Sequence, residues 1–277
     1  MALISYFDKP TAQFQFRHSE AVDAERRQTR PELRNNTFGV EVEVDDGDGR
    51  NALVAALDEL HLPIYEKTDG SLHANGVEII THPGSLAWHM YEMRWAEVFR
   101  LCRKNGYDSD GTTTCGLHIH VGRAALGQTE QVRRTMAAKL VLIVNAVWES
   151  LVTFTRRRLS ELRDWAPRPL AGALERVDLM DNAQLRALAL HAGGQDGPHQ
   201  ARYTAVNLTN DNTVEFRIFK GTLKRTTLLA SMQLVDCMIR YAATHTLKEC
   251  ATVAWGDLLA LSSFKELDAY CEARGLA

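Results

Sequence analysis

The chain has no Cys-x-x-Cys pair; its five cysteines stand far apart at positions 102, 115, 237, 250 and 271. That spacing excludes a thiolate zinc site and a redox dithiol and predicts reduced thiols. No run approaches the ~18 uninterrupted apolar residues of a spanning helix. The stretch Met1 to Pro31 is polar and carries Arg17, Arg26, Arg27 and Arg30 without an apolar core of the secretory kind. The expectation is a cytoplasmic protein with no membrane partner. Neither a Gly-x-x-x-x-Gly-Lys-Ser/Thr loop nor a Gly-x-Gly-x-x-Gly turn occurs, so a phosphate ligand would have to be held by metals and arginines. Excess charge of one sign is missing as well: 32 basic against 35 acidic residues give a net charge of -3. Nucleic-acid binding, which normally needs a basic footprint, is therefore not expected. What remains is an ordinary globular composition, 45% hydrophobic over 277 residues, enough for a core without staples.

Periodicity organises that composition. After a polar leader, 1–36, Thr37 to Asp45 alternates strictly, with valines on one side and Glu41, Glu43 and Asp45 on the other. Asn51 opens a short helical pattern whose stripe is Leu53, Leu57 and Leu60. Gly76 to Thr81 is a second strand signal, after the turn-like Asp69-Gly70-Ser71. Ser85 is an N-cap candidate for one helix to about Asn105, with Gly106 suited to the left-handed position beyond it. Leu117 to Val121 alternates again, placing His118 and His120 on one face. A long helical region is expected from Thr129 to about Trp165, and a weaker one from Asn182 to His191. Gly193 to Gln200 reads as a loop. Arg202 to Leu208 and Thr213 to Phe219 form a hairpin pattern around Thr209-Asn210-Asp211-Asn212. Helices over about Leu223 to Ala243 and Gly256 to Arg274 close the chain. This order predicts an α+β fold, a single domain over 37–277 with one sheet face on helices and the other a polar concavity.

The polar face has a biased composition. It collects Glu41, Glu43, Glu78, His118, His120, Tyr203, Asn207, Glu215 and Arg217, where solvated strands would favour Thr, Lys, Ser and Gln. Carboxylates sharing one site raise each other's pKa, a conflict that divalent cations remove. Oxygen-rich donors with one or two imidazoles and no thiolate suit Mg²⁺ or Mn²⁺. Taken singly, Glu-x-Glu reads as a solvated strand face and Glu215-x-Arg217 as a same-face ion pair. Arg156-Arg157-Arg158 reads as the solvated face of a helix. Cys115 beside His118 lacks a third orienting group for a nucleophile, and the glycines at 39, 76, 116 and 221 either allow close backbone approach to a ligand or are turn positions, the turn reading being slightly favoured. Arg202, Arg217 and Lys220 are the cations available to a phosphate.

The ordered motifs Phe38-Gly39-Val40-Glu41-Val42-Glu43, Asp69-Gly70-Ser71-Leu72, Gly76-Val77-Glu78-Ile79-Ile80, Cys115 to Val121, Arg202 to Leu208 and Thr213 to Phe219 before Gly221-Thr222 resemble the amidoligase family. These are relatives of glutamine synthetase and glutamate-cysteine ligase, and the likeness spans about 37 to 245. It implies a curved, mostly antiparallel, glutamine-synthetase-like catalytic sheet with helices packed on one face. It also implies ATP with Mg²⁺ or Mn²⁺, and a carboxylate joined to an amine through an acyl phosphate. By the same resemblance Glu41, Glu43, Glu78, one histidine of the pair His118 and His120, and Glu215 are metal ligands. Arg217 contacts phosphate, with Glu215 beside it in the catalytic pair. Arg202, Arg217 and Lys220 would hold the nucleotide; Asp69 matches a family position with no assigned role. Substrates would be a small-molecule or peptide carboxylate and amine. The alternatives are a metal-dependent hydrolase and a non-catalytic binding protein that keeps the sheet.

Overall fold

The computed structural model describes residues 36–171, 179–195 and 202–277. The leader up to residue 35 and part of the loop from Gly193 to Gln200 lie outside them. The chain mixes helix with antiparallel sheet and divides into two compact units. The first contains the described residues up to Ile119 together with Lys220–Leu229, and the second contains His120–Phe219 with Ala230–Ala277.

In the first unit, β1 (Thr37–Val44) pairs antiparallel with β3 (Val77–Thr81), and β3 pairs with β2 (Ile64–Lys67). The two-residue β4 (Gly84–Ser85) pairs with the start of β1, and the first half of β5 (Gly116–Gly122) follows β1 in strand order. Residues directly opposite one another share a face. Val42, Ile79 and Glu66 form one row on the core side, Ile79 lying between the other two, whereas Glu43, Glu78 and Lys67 form one row on the other side. Under the core face pack the helices Arg50–Asp58, Leu86–Tyr91 and Trp95–Lys104, which bury Leu53, Leu57, Trp95 and Phe99.

Two features differ from the sequence expectation. Strand β2 was not anticipated: four residues containing Glu66 and Lys67 carry no readable alternation. The helix expected from Ser85 to Asn105 is two helices. Ser85 caps the first as expected, its Oγ accepting Trp88 N at 3.1 Å. The N–H groups of Glu92 and Met93 then both turn back to Trp88 O, at 2.9 and 3.0 Å, and close it. Gly106 does take the left-handed position, with φ of 77°.

In the second unit, β6 (Val206–Asn207) pairs antiparallel with β7 (Thr213–Lys220). The anticipated hairpin exists, but its first strand is shorter than the alternation suggested. The long helical region is Glu130–Ala146, Trp148–Thr155 and Leu159–Trp165, with a 79° bend between the first two. Thr129 caps the first through Val132 N, and Leu140 to Val144 are wholly buried. No single helix among the described residues is long and apolar enough to cross a membrane. Asn182–Ala192 begins with a capping box from Asp181 and Gln184. The closing region is Arg225–Thr244, begun in the first unit, then Leu247–Ala251, which was not anticipated, and two short helices, Trp255–Leu259 and Lys265–Glu272, in place of the one expected over Gly256 to Arg274. Phe154 gathers Phe219, Trp255 and Tyr270, its centroid 4.7 Å from that of Tyr270.

Two buried titratable groups in the first unit make stability depend on pH in opposite senses. His89 has no exposed surface; its Nε2 donates to Phe38 O at 3.1 Å and its ring packs against Trp88 and Trp95. Burial lowers its pKa from 6.5 to about 4. The unfolded chain therefore takes up a proton that the fold resists. The stability from neutral His89 is present above pH 6.5 and is lost as pH falls through about 4, by up to ~3 kcal/mol. Circular dichroism melts should show this loss, and His89→Phe should weaken it.

Glu66 sits on the core side, and burial, followed by the Asp58 charge, raises its pKa from 4.5 to about 7. Its contribution is intact below pH 4.5 and lost as pH rises through about 7. Glu66→Gln should raise the melting temperature at about pH 8 and leave it nearly unchanged at about pH 4.

Candidate active site

The row Lys67, Glu78, Glu43 is where the first unit concentrates charge. Strand period puts Glu41 and Glu43 on one face of β1, and register places Glu78 directly opposite Glu43. From β5, His118 brings Nδ1 to 3.2 Å from Glu41 Oε2. Ligand atoms of Glu41, Glu78 and His118 all lie within 4.8 Å of one another, and so do those of Glu43, Asp69 and Glu78. Glu78 thus belongs to both groups. Glu43, Glu78 and His118 are each about 95% buried, and the Gly116 N–H donates to Glu43 Oε2.

This electrostatic arrangement is costly without a cation. Burial, then the charge of Glu41 and its hydrogen bond, then Glu43, hold the Glu78 carboxyl well above the usual range; Lys67 opposes them. Burial and the charges of Glu41 and Glu78 likewise raise the Tyr65 phenol. The donor set is five oxygen-bearing or imidazole side chains, four of them carboxylates, with no sulfur. It fits hard divalent cations such as Mg²⁺ or Mn²⁺, whose charge would relieve the repulsion. Cys115 is buried, and burial pushes its thiol up to about 12, which disfavours the thiolate a nucleophile needs. Gly76 and Gly221 are more than turn residues, since a Cβ on Gly76 would collide with Leu72, and one on Gly221 would collide with Ser109.

The second unit holds the remaining candidates. Asn207 stands opposite Glu215 in the β6–β7 register. Asn207 Nδ2 donates to Glu215 Oε2 at 2.6 Å, while Arg217 Nη1 pairs with Glu215 Oε1 at 2.5 Å. Thr209 donates twice to Asn207 Oδ1, which fixes the orientation of that amide. Arg217 lies 5.8 Å and Arg202 4.9 Å from the Tyr203 ring centroid, and Arg202 also donates to the phenol oxygen. His120 Nδ1 lies 3.0 Å from Thr213 Oγ1. Lys220, the last residue of β7, belongs to the first unit and is half-buried.

The arginine run at 156 to 158 is not a solvated helix face. Arg156 ends its helix in the left-handed region, with φ of 60°, and Arg157 is buried, its Nη1 donating to Arg217 O at 2.7 Å.

A family model described as putative amidoligase enzyme matches residues 22–239. The chain belongs to the amidoligase family. No curated protein matches it. The match covers both acidic strands, the His118 strand and the Glu215-x-Arg217 strand. Asp69 lies within ligand distance of Glu43 and Glu78 in this amidoligase; its Asp-Gly-Ser turn was visible in sequence but its reach was not. Tyr65 and Lys67 were missed along with β2.

Proton binding at Glu78, favoured by the raised pKa, has a measurable consequence. Because its folded pKa is raised, the contribution of Glu78 to the stability of the cation-free amidoligase is intact below the usual carboxylate range and is lost as pH rises through the raised value. Mg²⁺ or Mn²⁺ should displace that proton. The gain in melting temperature from saturating cation should therefore be larger at about pH 8 than at about pH 6. Glu43→Ala should abolish most of the gain at both; an unchanged gain removes Glu43 from the ligand set.

Proposed function

We propose that this amidoligase joins a carboxylate to an amine at the expense of ATP, through an acyl phosphate, on a glutamine-synthetase-like curved sheet. The observation that carries the reading is the cluster of four carboxylates and one imidazole, with Glu43, Glu78 and His118 buried and Glu41 and Asp69 half-buried, in a chain of this family. Two divalent cations are assigned to it, one to Glu41, Glu78 and His118, the other to Glu43, Asp69 and Glu78. When bound, they would neutralise phosphate charge and orient the nucleotide.

In the first step a substrate carboxylate oxygen attacks the γ-phosphorus, the bridging P–O bond breaks and ADP leaves. In the second the amine nitrogen attacks the acyl carbon, the C–O bond to phosphate breaks, and the nitrogen gives up a proton. Arg217 stabilises charge on the transferring phosphoryl group, held by Glu215; Glu215 is also assigned to metal in this reading, with His120 beside it. Arg202 and Lys220 contribute cations to the nucleotide phosphates. The substrates are a small-molecule or peptide carboxylate and amine. Metal-dependent hydrolysis is the less favoured reading, because acidic ligands outnumber imidazoles in the donor set.

ADP release should be followed over a panel of carboxylates and amines in the presence of Mg²⁺, with mass spectrometry of products. ADP formation that depends on both partners is expected; hydrolysis of an amide without nucleotide would overturn the reading. Arg217→Ala should lower ligation on the order of 100-fold while the fold is kept. Turnover within about threefold of the parent, at equal folded fraction, removes Arg217 from the mechanism.

A further inference from the structure

Asp69 lies outside regular structure. Strand β2 ends at Lys67 and β3 begins at Val77, so the position of its carboxylate depends on the turn between them. That turn has a local part and an anchored part. Locally, Asp69 Oδ1 accepts from Ser71 N at 2.7 Å and Ser71 Oγ at 2.5 Å, and Gly76 N donates to His73 O at 2.9 Å. The anchors are Tyr107 Oη donating to Asn75 O at 2.8 Å, Arg50 Nη2 donating to Ala74 O at 2.5 Å, and Asp45.

Asp45 has no exposed surface. Its backbone exchanges hydrogen bonds with Asp108 at 2.9 and 3.0 Å, which fixes its Cα just beyond β1. Oδ2 accepts from Thr114 Oγ1 at 2.8 Å and from His73 N at 3.1 Å, and the His73 ring Nδ1 lies 3.1 Å from it. Oδ1 accepts from Asp46 N at 3.0 Å and would meet a Cβ on Gly76 at 3.0 Å. One buried carboxylate thus ties β1, the segment before β5 and the middle of the Asp69 turn together.

We infer that Asp45 is a positioning residue. It latches the turn 69–76 to the sheet so that Asp69 reaches Glu43 and Glu78, an inference that rests on the two-cation reading above. By distance alone Asp45, Asp46 and His73 also form a cation-sized group. The donors around Asp45 argue for the latch: two backbone N–H groups and a hydroxyl already point at its oxygens, and a buried carboxylate satisfied in this way serves as an acceptor for its neighbours. Groups that orient a metal ligand from behind commonly change metal affinity 10- to 100-fold when removed.

Mn²⁺ titration of the full chain, read by electron paramagnetic resonance, counts bound ions without turnover. The parent should bind two. Asp45→Ala should weaken one ion about 10- to 100-fold and spare the other, and Asp69→Ala should weaken the same one. Amide hydrogen exchange over residues 69–76 should speed up in Asp45→Ala. If that variant does not fold, Asp45→Asn, which retains one acceptor oxygen, decides: a loss of several-fold supports the latch. Two ions bound with parental affinity in Asp45→Ala or Asp45→Asn overturn the latch and leave the two-cation reading standing. A third ion in the parent, lost in both Asp45→Ala and His73→Ala, makes Asp45 a ligand and also overturns the latch. Fewer than two ions in the parent removes the two-cation reading and the latch with it.

Discussion

The repulsion among Glu41, Glu43 and Glu78 is the constraint on which the rest of the site depends. Antiparallel register sets Glu43 directly opposite Glu78, strand period adds the half-buried Glu41, and burial removes the water that would screen Glu43 and Glu78. A carboxyl in such a place either keeps its proton or gives it up to a cation. Lys67 offsets part of the charge, yet Glu78 still stands well above the usual carboxylate range. The fold maintains this conflict because the opposite face of the same strands, Val42 and Ile79 among others, is committed to the core. Releasing the acidic residues would expose that apolar row.

The second unit treats its buried acid differently. Glu215 is satisfied by Arg217 on one oxygen and by Asn207 on the other. Arg217 in turn is constrained along its length: backbone N–H to Ala205 O at 2.9 Å, backbone carbonyl to the buried Arg157, and guanidinium near Tyr203. Such restraint is what electrostatic stabilisation of a moving charge requires, because a donor already in place spends no reorganisation energy during the reaction.

Much of this was legible in sequence because side-chain period is a local property. The alternation of β1, β3, β5 and β7 could be read directly, as could the cap at Ser85 and the left-handed Gly106. The acidic and imidazole residues stood out because period placed them together. Strand β2 escaped because four residues with two charges carry no period, and its assignment depends on β3 lying beside it. The helix end within 85 to 105 escaped for a related reason: the Trp88 carbonyl, shared by two N–H groups, closes the helix without leaving a Gly or Pro to mark the place.

The sequence by itself determined the period-2 strands, the hard, oxygen-rich character of the donor set and membership of the amidoligase family, since each depends on residue types and their order along the chain. Tertiary structure alone decided that Glu78 lies within ligand distance of two groups of donors, that Asp69 reaches one of them from a turn, and that Asp45 and Arg157 are buried. Those facts depend on distances between residues tens of positions apart in the chain, such as Asp45 and Thr114. Such separations are set by strand register and by which carbonyl a buried donor finds, and no local pattern encodes either.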